Sequence, residues 1–158
     1  MRGTVTVGRL DDVPIVLHAS LLPVFAFVSW TLAARFFPLL FPSWSPYRYW
    51  LVGIVGSILV FASVLVHELG HTFVARRRGL TVARISLFFL GGVAEIDVDG
   101  GTPGDEFWMA LAGPVVSLGL AGGFSALWHP MSQRHPGLGA IALYLAISNF
   151  LLAMFNLL

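Results

Sequence analysis

Four stretches of this chain stay uncharged, or nearly so, for long enough to cross a lipid bilayer. A membrane helix needs about 20 mostly apolar residues to span a ~30 Å hydrocarbon layer. Residues 13–34 carry no formal charge, residues 49–75 carry only Glu68, and residues 107–133 and 135–158 carry none. Spans are therefore predicted near 13–34, 49–75, 107–129 and 138–158, within one membrane-embedded unit covering residues 1–158. Composition excludes the soluble alternative. Apolar residues make up 57% of the 158 and charged residues 11%, whereas soluble domains carry about 25% charged residues. A small core cannot hide that much apolar surface, but a bilayer can accept it. The net charge of +1 gives no basis for a nucleic-acid partner, and the absence of cysteine excludes disulfides and thiolate metal sites.

The connections carry their own signals. Pro38, Pro42 and Pro46 predict a loop between the first two spans, and Pro130 and Pro136 another between the last two. The start does not read as a cleavable signal peptide, because Asp11 and Asp12 sit in its charged segment and its apolar run is longer than such peptides use. Residues 85–94, ISLFFLGGVA, are apolar yet would cover only ~15 Å as a helix. Their β-forming residues around Gly91 and Gly92 predict a β-hairpin or re-entrant strand, with an interfacial loop as the alternative. The predicted fold class is thus an all-α polytopic membrane protein with about four transmembrane helices and a short hairpin between the second and third. Arg2, Arg9, Arg76, Arg77, Arg78 and Arg84 fall on one side of it, and Arg35, Arg48 and Arg134 on the other. Excess Arg marks the cytoplasmic side, so both termini are expected there. All nine basic residues are Arg, a usage suited to a GC-rich genome, and a prokaryotic cell membrane is the expected location. Gly53, Gly56 and Ser57 in the second span, and Gly119 and Gly123 in the third, are candidate sites of close helix packing.

The second span ends in His67-Glu68-Leu69-Gly70-His71, an H-E-x-x-H pattern. On a helix, positions i and i+4 share a face, so both imidazoles can reach one tetrahedral zinc ion. Glu68 can then act as general base on a zinc-bound water, whose pKa the metal lowers to about 7. The pattern alone recurs by chance. Its context is more telling, because ionisable groups at membrane depth are expensive and mark functional sites. Counting from Arg76, His71 lies about 7 Å and His67 about 13 Å inside the charged boundary, which puts the site near the cytoplasmic face. His18, at a similar depth, reads as interfacial and structural, or as a partner of the motif. His129 and His135 read as solvated loop residues. Asn149 and Asn156 lie seven apart in the fourth span, roughly on one face. They bond neighbouring helices or contact a substrate backbone, the latter more so for Asn156.

Together these residues resemble the site-2 protease family of intramembrane metalloproteases. The resemblance rests on Val13-Pro14-Ile15-Val16-Leu17-His18, on the membrane-embedded HELGH, on Leu90-Gly91-Gly92-Val93-Ala94, on Ala112-Gly113-Pro114, and on Asn149 with Phe155-Asn156-Leu157-Leu158. It implies cleavage of single-span membrane proteins to release a regulatory fragment. It implies that the segment near Gly91 and Gly92 holds substrate as an extended strand, and that Asn156 positions substrate near the metal. In the family, the stretch like Phe155–Leu158 continues into Leu-Asp-Gly, whose Asp is the third zinc ligand. That motif does not occur here, and the chain is expected to be incomplete and inactive by itself. Glu95, Asp97, Asp99, Asp105 and Glu106 lie in the connection before the third span and are not expected to be ligands. Two other readings compete. A membrane metal-ion transporter would spread polar groups over several spans, and a catalytically silent relative would only bind membrane segments.

Overall fold

The structure, a computed structural model, describes residues 3–97 and 101–158. Arg2 and Asp99 therefore lie outside the described residues. Four helices are long and apolar enough to cross a membrane: α1 (Leu21–Leu40), α2 (Pro46–Arg77), α3 (Pro103–Arg134) and α4 (Pro136–Leu157). The chain is a multi-pass membrane protein with a small sheet of four strands. These are β1 (Thr4–Leu10), β2 (Val13–His18), β3 (Thr81–Phe88) and β4 (Gly91–Asp97), in spatial order β1-β2-β3-β4. The outer pairs are antiparallel and the central β2/β3 pair is parallel.

The N-terminal strands and the helices depart from the sequence expectation in three places. First, residues 13–18 form a strand rather than the start of the first span, and α1 begins at Leu21. Asp11 and Asp12, both at positive φ, make the two-residue turn between β1 and β2, as a tight hairpin of this hand requires. Second, Pro38 lies inside α1. The π-helical segment Leu32–Phe36, with Phe37 N–H bonded to Leu32 O, precedes it. A proline ring collides with the carbonyl four residues back in a regular helix, and one widened turn relieves that collision. Third, α3 runs through Pro130 to Arg134, so only His135 separates it from α4. The hairpin between α2 and α3 is present, but its turn is Phe89–Leu90. Gly91 and Gly92 open β4 instead.

The glycines of α2 pack as expected and those of α3 do not. A side chain at Gly53 would meet the backbone of Ser29 and Ala33 in α1, and one at Gly56 would meet Leu32. Ser29 Oγ donates to Ser57 Oγ across the same contact at 2.9 Å. Gly119 and Gly123 face open space. Phe37 and Leu32 of α1 and Ile141 and Leu145 of α4 form the apolar core near the α1–α2 connection, extended by Phe41, Trp44 and Tyr49. Trp44 stacks on Phe41 with ring centres 4.2 Å apart. At the other end of α2, the sheet and the first turns of α3 enclose the H-E-x-x-H motif.

Candidate metal centre

His67, Glu68 and His71 lie in the last third of α2. Helical spacing turns both imidazoles toward α3, whose Met109, Gly113 and Ser117 recur every four residues and so form one face. His67 is 1% exposed, and its Nδ1 lies 2.8 Å from Ser117 Oγ. His71 Nδ1 lies 2.7 Å from the carbonyl oxygen of Met109. A carbonyl can only accept, so His71 Nδ1 carries the proton and donates it. That fixes its tautomer and leaves a lone pair on Nε2. The two Nε2 atoms face each other at 3.1 Å.

This arrangement fits a metal ion. Two nitrogens bound tetrahedrally to zinc at about 2.0–2.1 Å would stand roughly 3.3 Å apart. Each ring is anchored through its other nitrogen, as metal-ligating histidines are. The backbone of α3 must come close for this to happen. A Cβ at Gly113 would clash with Nε2 of His71 and lie 2.5 Å from Nε2 of His67. Asn156, near the end of α4, is exposed, and its side-chain N–H donates to Leu152 O at 2.8 Å within its own helix.

Glu68 is 7% exposed and points at the sheet. Its Oε2 accepts from the Ala94 N–H at 3.1 Å. Ala94 belongs to β4, an outer strand of the sheet, and the donated N–H is on the edge away from β3. A Cβ at Gly92 would lie 2.8 Å from Glu68 Cδ and Oε1, so the strand can rest on the carboxylate only because that side chain is missing. Gly91 has a φ of +129°, which suits glycine alone.

The other candidates lie elsewhere. His18 ends β2, with Nδ1 2.7 Å from Ser20 Oγ. His129 and His135 lie where α3 meets α4, far along the helix from the motif. Asn149 is buried and donates to Leu145 O within its own helix, while its Oδ1 has no partner. Glu95 pairs with Arg84 at 2.8 Å, and Asp105 closes a capping box with Thr102 at the start of α3. Among the described residues, no three His, Asp or Glu side chains converge to hold an ion. Ser117, the Met109 carbonyl and the Ala94 N–H are the partners the sequence reading missed. A signal for two of them existed in the four-residue spacing of Met109, Gly113 and Ser117, opposite an i, i+4 histidine pair.

The family described as Peptidase family M50 matches residues 55–134, which include α2 from Val55 onward, the sheet's second half and all of α3. The chain belongs to peptidase family M50. Rip3 of Mycobacterium tuberculosis, named as a candidate zinc metalloprotease, is 36% identical over 160 residues, covering 100% of this chain and 40% of its own length. A Synechocystis protein named in the same way, sll0528, is also 36% identical, over 99% of this chain and 41% of its own length. The chain thus spans about two fifths of these relatives. The solved site-2 protease from Methanocaldococcus jannaschii superposes with a TM-score of 0.69 and 28% identity, covering 98% of this chain and 64% of that one. The M50 assignment agrees with the resemblance drawn from HELGH and its neighbours, and the fold is that of the site-2 protease.

Proposed function

We propose that this chain forms the metal-binding core of a zinc protease that hydrolyses peptide bonds within the bilayer. In this reading His67 and His71 hold the zinc ion and Glu68 is the general base. The observation that carries it is the pair of Nε2 atoms 3.1 Å apart, each ring anchored behind, with a buried carboxylate on the adjacent residue. Bound zinc would supply Lewis acidity, making water acidic near neutral pH and polarising a carbonyl oxygen.

The chain's own residues supply the rest. The Ala94 N–H holds Glu68 Oε2, leaving Oε1 to take the proton of the attacking water and pass it to the departing amine. Ser117 and Met109 hold the imidazoles in position, so little reorganisation is needed on binding the ion. The free edge of β4 lies beside Glu68. A substrate segment added there as an extended strand would unwind its helix and bare a peptide bond at the base. Asn156, exposed near the end of α4, would steady that segment. The substrate class is a single-span membrane protein, and the site lies toward the cytoplasm. The third ligand is the aspartate that the family resemblance implies in a Leu-Asp-Gly motif, which these 158 residues do not contain.

The test uses the full-length protein reconstituted in vesicles with a single-span substrate. Cleavage should require zinc, stop on chelation and return when zinc is restored. Zinc crossing the vesicle membrane with the substrate left intact would instead support the transporter reading and refute this one.

A further inference from the structure

A groove of about 350 Å³ lies between α2 and α3. Phe73 and Val74 of α2 and Trp108, Leu111 and Val115 of α3 line it, and Arg77 stands at its mouth. Phe73, Trp108 and Val115 are each more than half exposed, so the groove opens sideways into lipid. From Trp108 to Val115 it descends about 10 Å into the membrane. Trp108 sits five residues after the start of α3, the depth at which tryptophan marks the headgroup boundary.

Among the described residues, no ion pair neutralises Arg77 at the mouth. Arg76 pairs with Asp11, Arg78 with Asp105, and Arg84 with Glu95. Arg77 takes part in none of these pairs. Its guanidinium lies 4.7 Å from the centre of the Phe73 ring, which holds it over the groove. Glu106, in the first turn of α3, and the negative end of the α2 dipole oppose an anion here. Arg77 lines the groove and Glu106 does not, so the arginine meets a bound headgroup first.

We propose that this groove binds an anionic phospholipid, with the phosphate against Arg77 and one acyl chain lying along Val74, Leu111 and Val115. Basic pockets between membrane helices select anionic headgroups, because a zwitterionic lipid would bring its own cation toward the arginines. The groove wall includes Val74, one turn beyond His71. The lipid therefore braces the two helices that carry the metal centre without touching it. The inference stands whether or not the centre hydrolyses peptides.

Native mass spectrometry of the protein with phosphatidylglycerol and with phosphatidylcholine of the same chains tests it. One phosphatidylglycerol should be retained in preference to phosphatidylcholine. Arg77→Gln should weaken that preference about fivefold, Arg77→Lys should keep it, and Arg134→Gln at the far end of α3 should not change it. Val115→Trp, which fills the groove, should lower retention of both lipids. Circular dichroism checks that each variant is folded. Equal retention of the two lipids, or an unchanged preference in Arg77→Gln, would overturn the proposal.

Discussion

A single methyl group at residue 113 would strike Nε2 of both His67 and His71. Alanine normally stabilises a helix over glycine by about 0.5–1 kcal/mol. Gly113→Ala should therefore leave helix content intact while bound zinc is lost, measured by circular dichroism and metal analysis on the same sample. Retained zinc would show that the ion does not sit between the two Nε2 atoms. Ser117→Ala is milder. It removes the hydroxyl 2.8 Å from His67 Nδ1 but leaves both ligands, so zinc affinity should fall about 10–100-fold. A competitive chelator titration measures this, and an unchanged affinity would exclude Ser117 as the orienting group. At this scale the sequence itself proposes the candidates. His67, Glu68 and His71 follow from helical geometry and from the cost of charge in lipid. Ser117 and the Met109 carbonyl were not read from the sequence, because their roles depend on α3 approaching to within a side chain's width, and no local pattern states that distance.

The hairpin element bears on Glu68 through Gly92. Gly92→Ala would press a methyl on the carboxylate. It should lower the cleavage rate while zinc binding stays near normal, since the strand touches the base and not the ligands. Equal losses of zinc and cleavage would mean that the substitution disturbs the whole site. The hairpin itself was visible in the sequence, since ten apolar residues are too few to cross the membrane. Its turn was placed late because Gly91-Gly92 is a stronger turn signal than Phe89-Leu90. Gly91 in fact serves a positive φ, and Gly92 a close approach. Strands β1 and β2 were hidden for another reason. Val13–His18 adjoins the apolar start of α1 with no charge between, and hydropathy cannot separate a buried strand from the end of a helix. Pro38 and Pro130 misled in the opposite direction. Each signals a break, yet a π-helical turn absorbs the first, and the second falls within the last turns of α3.

For the molecule as a whole, the account predicts a topology. The Arg76–Arg84 segment and both ends of the chain should face the cytoplasm, with Pro42 and Arg134 outside. These 158 residues contain no cysteine, so single cysteines introduced among them report cleanly. Labelling of a cysteine at Arg78 by an impermeant reagent in intact cells would reverse the orientation. In the proposed mechanism, one buried carboxylate beside two anchored imidazoles performs hydrolysis inside the membrane. The most direct test is Glu68→Gln in the full-length protein, with bound zinc and cleavage of a single-span substrate measured side by side. The substitution keeps the size of the side chain and leaves His67 and His71 in place. Zinc content should be unchanged, and the cleavage rate should fall by about 10²–10⁴-fold. Near-normal cleavage by Glu68→Gln with full zinc would contradict the account.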